Sequence, residues 1–205
     1  MKGVTFRRLP VIVGATLIAG MAAWTGVTHT SFFGQLVASG TTYCSGTLPP
    51  GTYGNVVVRS GQTCTINSSD IIRGDVGVAS NATLHDLGSS VGGNLGATTG
   101  SHVFISPSGG YSGTNASIGH DLGTFQANQV SITQTRVGGD MAITYSQASG
   151  SVSITNNTIR GDLFVVNNHG PTTVTGNHVG GNARCSNNTA FVGGGNTAGG
   201  SNTCN

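Results

Sequence analysis

A four-residue phrase recurs six times along this chain and constrains its fold more than any other feature. Each copy begins with Val or Ile, continues with a pair that contains glycine, and ends with Asp or Asn. The copies occupy residues 72–75, 91–94, 118–121, 137–140, 159–162 and 179–182. Successive copies begin 19, 27, 19, 22 and 20 residues apart. A turn-like phrase with a period near 20 predicts a solenoid in which each repeat forms one rung.

The segments between the phrases carry the alternation of a β-strand. Residues 130–133, 152–155 and 172–175 alternate apolar or β-branched residues with Ser or Thr, which is the strand pattern. The turns between such segments are too short for a helix, so consecutive rungs must pair in parallel. Because parallel crossovers are almost always right-handed, we predict a single-domain right-handed parallel β-helix over residues 41–205, with a C-terminal cap over about 185–205.

Asparagine recurs at the same interval as the corner phrase. Asn tolerates the left-handed conformation that tight turns require and bonds to nearby backbone amides. Stacking of identical amides in successive rungs predicts asparagine ladders along the coil. The candidates are Asn156, Asn157, Asn167, Asn168, Asn177, Asn187 and Asn188.

Four cysteines allow three disulfide connectivities, and the repeat length selects one of them. Cys44 and Cys64 are 20 residues apart, and Cys185 and Cys204 are 19 apart, so each pair spans one rung. Stacked strands lie roughly 4.8 Å apart, which falls within the Cα separation of about 4.4–6.8 Å that a disulfide tolerates. We therefore predict one disulfide at each end of the coil.

The charge of the repeat region is low and nearly balanced. Charged residues are 7% and aromatic residues 6% of the chain. Beyond the N-terminal segment, five arginines face six aspartates, with no lysine or glutamate. This composition lacks the basic footprint of a nucleic-acid-binding protein.

The first thirty residues have the features of an export signal. Lys2, Arg7 and Arg8 precede an apolar run over residues 9–27, which three glycines interrupt. We predict that residues 1–30 are a signal peptide, or alternatively a retained N-terminal membrane anchor, and that 31–40 form a short linker. The mature protein is then secreted or held at the cell surface, and it touches a membrane only through this segment if the segment is uncleaved.

The chain resembles the right-handed β-helix repeat proteins that bacteria secrete, particularly the small actinobacterial ones. The resemblance covers residues 41–205 and rests on the Gly-Asp or Gly-Asn corners, the segment 44–53, and the ending that runs from 194 to Cys204. The corners are also similar to those of bactofilins, although the leader and the disulfides depart from that pattern. The resemblance implies a fold and an export route, and it brings no catalytic residues.

The corner aspartates are the best candidates for binding a cation. Asp75, Asp121, Asp140 and Asp162 recur at one corner, so they stack into an acidic row that Ca²⁺ could use as a weak site. Asn94 and Asn182 fill the same position, and this exchange favours a turn role over a charge role. We therefore predict no resident cofactor, with calcium as the open alternative.

Three further residues stand out as candidates for contact with a ligand or metal. Tyr111 lies in the long gap between residues 91 and 118, where we predict a protruding loop, and it is the best candidate for a ligand contact. His85 and His120 each precede an aspartate. Because neighbours in a strand point to opposite faces, we expect exposed turn histidines rather than metal-binding or proton-relay dyads.

These features predict a non-enzymatic, secreted or cell-surface structural protein that presents polar faces for adhesion or assembly. Its expected partners are cell-wall glycan or further copies of itself. The alternative is a carbohydrate-binding or carbohydrate-active β-helix of the polysaccharide lyase type. A lesser alternative is an ice-binding solenoid, because Thr133, Thr155 and Thr175 align at the repeat interval.

Overall fold

The coil predicted from the repeat is present in the structure. The computed structural model describes residues 40–107 and 115–205, and within these ranges every regular element is a β-strand. The strands form three eight-stranded sheets, and all pairings between neighbouring strands are parallel. Each rung contributes one strand to each sheet, so the described residues form a parallel β-solenoid with about 20 residues per turn.

The three sheets, called A, B and C, follow one another around each rung. Sheet A contains β1 (Thr41–Cys44), β4 (Asn55–Val58), β7 (Val76–Val78), β10 (Leu95–Ala97), β13 (Leu122–Phe125), β16 (Met141–Thr144), β19 (Leu163–Val166) and β22 (Ala183–Ser186). Sheet B contains β2 (Gly46–Thr47), β5 (Thr63–Ile66), β8 (Thr83–Asp86), β11 (His102–Ile105), β14 (Gln129–Thr133), β17 (Val152–Thr155), β20 (Thr172–Thr175) and β23 (Phe191–Gly194). Sheet C contains β3 (Thr52–Tyr53), β6 (Ile71–Ile72), β9 (Ser90–Val91), β12 (Ala116–Ile118), β15 (Thr135–Val137), β18 (Thr158–Ile159), β21 (His178–Val179) and β24 (Thr197–Ala198).

The core is a stack of aliphatic rows that run along the coil. In sheet B, Ile105, Ile132 and Ile154 occupy one register, and each is fully buried. Burying such a side chain contributes about 1.5–3 kcal/mol. Because alternate residues of each strand point inward, the outward positions are free to carry Ser and Thr.

Both predicted disulfides are present, and they are built differently. Cys204 follows Asn202, which pairs with Ala183, so Cys204 stacks on Cys185 with a Cα–Cα distance of 4.9 Å. At the other end, Cys44 belongs to β1 of sheet A, whereas Cys64 belongs to β5 of sheet B. Their Cα atoms are 5.5 Å apart, so this bond crosses a corner rather than joining two stacked positions. The two disulfides indicate an oxidising compartment.

Several predicted features lie outside the described residues. These are the export signal or anchor at 1–30, nearly all of the linker at 31–40, and Tyr111. The region 185–205, predicted to cap the coil, contains the strands β23 and β24. No helix in the described part of the chain is long and apolar enough to cross a membrane.

Removing either disulfide should destabilise its end of the coil. The Cys44→Ser/Cys64→Ser and Cys185→Ser/Cys204→Ser variants each release a loop of about 20 residues, and we expect each to lose about 3 kcal/mol of unfolding free energy. Urea unfolding followed by circular dichroism measures the loss. An unfolding midpoint equal to that of the wild type in both variants would contradict this role.

Candidate functional site

The corner aspartates form one continuous row with asparagines. This corner row follows the strands of sheet C and consists of Asn55, Asp75, Asn94, Asp121, Asp140, Asp162 and Asn182. At each step, one side-chain Oδ1 accepts the backbone N–H of the next member of the row. The Asp140 N–H donates to Asp121 Oδ1 at 2.9 Å, and the Asp162 N–H donates to Asp140 Oδ1 at 2.8 Å. The row therefore bridges successive rungs at a corner that no sheet covers.

A neutral amide performs the same task in this row. The Asp121 N–H donates to Asn94 Oδ1 at 3.1 Å, and the Asn94 amide nitrogen donates to Asp75 Oδ1 at 3.1 Å. The common requirement is thus an acceptor of the right length, and a negative charge is dispensable. Among the described residues, no group of three or more His, Cys, Asp or Glu side chains is placed to hold a metal ion. Calcium binding at this row stays a prediction.

Two substitutions at Asp140 separate the turn role from a charge role. Asp140→Asn keeps the acceptor and relieves repulsion with the stacked carboxylates, so its unfolding free energy should equal or exceed that of the wild type. Asp140→Ala leaves the Asp162 N–H without its acceptor, and we expect a loss of about 1 kcal/mol. Urea unfolding measures both. Equal destabilisation by Asn and Ala would show that the charge itself matters.

Buried asparagines form two ladders, which confirms the predicted stacking and extends it to Asn196. Between sheets B and C, the Asn157 N–H donates to Asn177 Oδ1 at 3.0 Å, and the Asn177 N–H donates to Asn196 Oδ1 at 3.0 Å. Between sheets A and B, the Asn168 N–H donates to Asn188 Oδ1 at 3.1 Å. Their amide nitrogens also donate to backbone carbonyls of other rungs. These side chains satisfy the hydrogen-bonding groups of the buried backbone, so they serve the scaffold rather than a ligand.

Asp86 is a carboxylate inside the core. It pairs with Ile66 and Ile105 in an otherwise aliphatic row and is fully buried. Burial raises the pKa of its carboxyl, although the N–H groups of Ser89 and Gly88 and the Ser89 hydroxyl donate to it and oppose the rise; the charge of Asp70 adds to it. Asp86 therefore closes the tight turn after β8 at an electrostatic cost.

The Asp86→Asn variant should reveal this electrostatic cost, because the difference in stability between variant and wild type should depend on pH. Because the folded-state pKa is raised, the stability that Asp86 contributes is complete below the ordinary value of 3.8 and is lost as the pH rises through the folded-state pKa. Asparagine keeps an acceptor and has no such loss. We expect the variant to melt at a higher temperature than the wild type at pH 7 and at the same temperature near pH 3. A melting difference independent of pH would contradict this account.

The two histidine–aspartate pairs lie in different settings, and one of them corrects an expectation. His120 lies at an exposed bend, as predicted. His85 is not a turn residue but lies within strand β8, where its ring stacks on Phe104 with centroids 4.9 Å apart. Since Asp86 points inward and His85 outward, their side chains lie on opposite faces of sheet B.

The outer face of sheet B carries an ordered array of hydroxyl groups, which we call the hydroxyl face. Its two columns are in register over three rungs. The first column is Ser131, Ser153 and Thr173, and the second is Thr133, Thr155 and Thr175. The Thr155 hydroxyl donates to Thr133 Oγ1 at 3.1 Å. Successive hydroxyls in a column repeat at the rung distance of about 4.8 Å.

An aromatic pair lies on the same face, beside the hydroxyl columns. Phe104 precedes Ser131 in the first column and is itself preceded by His85. The alternation of residues 130–133 predicts the threonine column, but it does not single out Phe104. Only the register of the 27-residue interval places Phe104 next to Ser131, because the extra residues fall after β11 rather than within it.

Fold and site together define a disulfide-bonded parallel β-solenoid with a regular polar face. Comparison with known protein families, with curated proteins and with solved structures gives no match. The function must therefore be argued from the described surface.

Proposed function

We propose that this domain is a non-enzymatic, extracellular structural protein that adheres to cell-wall glycan through the hydroxyl face. The proposal rests on one observation, which is that the polar side chains fall into two groups. The aspartates and buried asparagines bond to the scaffold's own backbone, whereas the hydroxyl face offers its outward groups in a regular array. The two disulfides support a secreted or cell-surface location.

A regular array suits a polymeric partner. Eight stacked strands per sheet give a rod of about 34 Å at the rung spacing of about 4.8 Å. A rigid surface loses little conformational entropy on binding, so several weak hydrogen bonds to a repeating ligand add together. Self-association through the same face is the assembly form of this proposal. The resemblance of the chain to secreted bacterial solenoids also supports an extracellular structural role.

Ice binding is a second candidate that the threonine column favours. Thr133, Thr155 and Thr175 are in register, and each presents a methyl and a hydroxyl group at the rung spacing. The column continues with Gly194 after Thr175, so the aligned threonines cover three rungs. Inhibition of ice recrystallisation by the wild type distinguishes this candidate from glycan adhesion.

Replacing threonine by valine removes a hydroxyl and keeps the branched shape. We expect the triple variant Thr133→Val/Thr155→Val/Thr175→Val to bind isolated cell walls at least five-fold more weakly than the wild type, because its column offers no hydrogen bonds. The measurement is co-sedimentation of the protein from residue 41 onward with insoluble wall polysaccharide, with and without calcium.

A matched control removes three hydroxyls from the other two sheets. Thr52 lies outward on sheet C, Thr144 lies outward on sheet A, and Thr98 directly follows strand β10 of sheet A, so Thr52→Val/Thr98→Val/Thr144→Val should bind walls like the wild type. Equal weakening of both triple variants would overturn the proposal. It would also be overturned if the wild type neither bound walls nor self-associated. Release of sugar products would move the assignment to a carbohydrate-active enzyme.

A further inference from the structure

A groove on the outer face of sheet C carries positive charge and faces away from the hydroxyl face. It has a volume of about 470 Å³ and is lined by residues of four successive rungs, among them Ser117, Arg136, Thr158, Arg160 and His178. Four rungs span about 14 Å along the coil. The groove is therefore open and elongated, a shape suited to a chain rather than to a compact ligand.

The register brings the two arginines together. Arg136 pairs with Thr158, and Arg160 lies two residues beyond Thr158, so the two Cα atoms are about 8 Å apart on neighbouring rungs. Both side chains are exposed. Long guanidinium arms at this separation reach a single anionic group or two consecutive ones.

Glycines on both sides keep the space around Arg160 open. Gly138 and Gly180 are its neighbours along the coil, and both must be glycine because a Cβ would approach the carbonyl oxygen of the preceding rung to 2.1 Å and 2.2 Å. Arg160 is thus the one long side chain between Gly119 and Gly199 in this row. The close approach of successive corners favours glycine at 138 and 180, so no side chain from these two positions covers Arg160.

The charge around the groove is not neutralised within it. No carboxylate lines the groove, and in residues 40–107 and 115–205 neither Arg136 nor Arg160 takes part in an ion pair. The corner carboxylates Asp140 and Asp162 lie two residues beyond Gly138 and Arg160 and accept backbone N–H groups there. His178 is bonded through Nδ1 to the Thr197 hydroxyl at 2.7 Å, which fixes its ring at the end of the groove.

We infer that this groove binds an anionic polysaccharide, with Arg136 and Arg160 holding its carboxylate or phosphate groups. Arginine binds both groups in a bidentate manner. Ser117 and Thr158 lie in the same outward column as Arg136 and supply hydrogen bonds to the sugar hydroxyls. The site is separate from the hydroxyl face, so one domain contacts neutral and charged glycan on two of its sheets.

The test uses two polyanions and a neutral polymer. Polygalacturonate supplies carboxylates, poly(glycerol phosphate) supplies phosphates, and dextran is the uncharged reference; affinity electrophoresis or calorimetry measures binding to the protein from residue 41 onward. We expect Arg136→Gln and Arg160→Gln each to weaken polyanion binding about ten-fold. We also expect binding to fall as salt increases from 0.05 to 0.5 M, since exposed charges are screened.

Arg73→Gln is the matched control. Arg73 is exposed and precedes Gly74 and Asp75, just as Arg160 precedes Gly161 and Asp162, but it lies outside the groove. This variant should bind as the wild type does. Equal weakening by all three substitutions would show unspecific attraction and overturn the inference, as would failure of the wild type to bind either polyanion. The valine variants of the hydroxyl face should leave polyanion binding unchanged, so the two proposals fail independently.

Discussion

Hydrogen bonding between rungs is the interaction on which the rest of this structure depends. The strands are two to five residues long, so a large share of each rung is corner rather than sheet. An unpaired backbone N–H at a corner costs about 1–3 kcal/mol when it is buried. The corner row and the two asparagine ladders solve this problem with side-chain oxygens: in the corner row each oxygen accepts the N–H of the following rung, and in the ladders it accepts the N–H of the preceding rung.

This solution explains the composition of the chain. Side chains with a short acceptor, Asn and Asp, are required at the corners, and glycine is required where successive corners approach closely. Aliphatic residues fill the narrow interior, and small hydroxylated residues suffice outside. Charged side chains contribute little to holding the rungs of such a coil together, and this accounts for its low content of charged residues. The few arginines are not needed by the scaffold and lie at the surface, and two of them line one groove.

The disulfides stabilise the two ends of the coil, where the rungs are least supported. A terminal rung has a neighbour on one side only, so its strands fray more easily than those in the middle. Cys44–Cys64 ties the first strand of sheet A to the second strand of sheet B, and Cys185–Cys204 ties the last strand of sheet A to the chain that follows β24. A coil fastened at both ends in this way holds its outer faces in place. That rigidity is what both proposed binding surfaces require.

The sequence by itself determined the parallel coil, its rung length, the cysteine pairing and the asparagine ladders, because each follows from a local pattern repeated at an interval near 20 residues. It also indicated the turn role of the corner aspartates, since Asn94 and Asn182 exchange with them. Only the tertiary structure decided which outward residues become neighbours. The pairing of outward positions in sheets B and C stacks His85 on Phe104 and brings Arg136 beside Arg160. The path of the chain around each rung also buries Asp86 in an aliphatic row and takes the Cys44–Cys64 bond across a corner, since it decides which strand positions face the core and which sheet each strand joins.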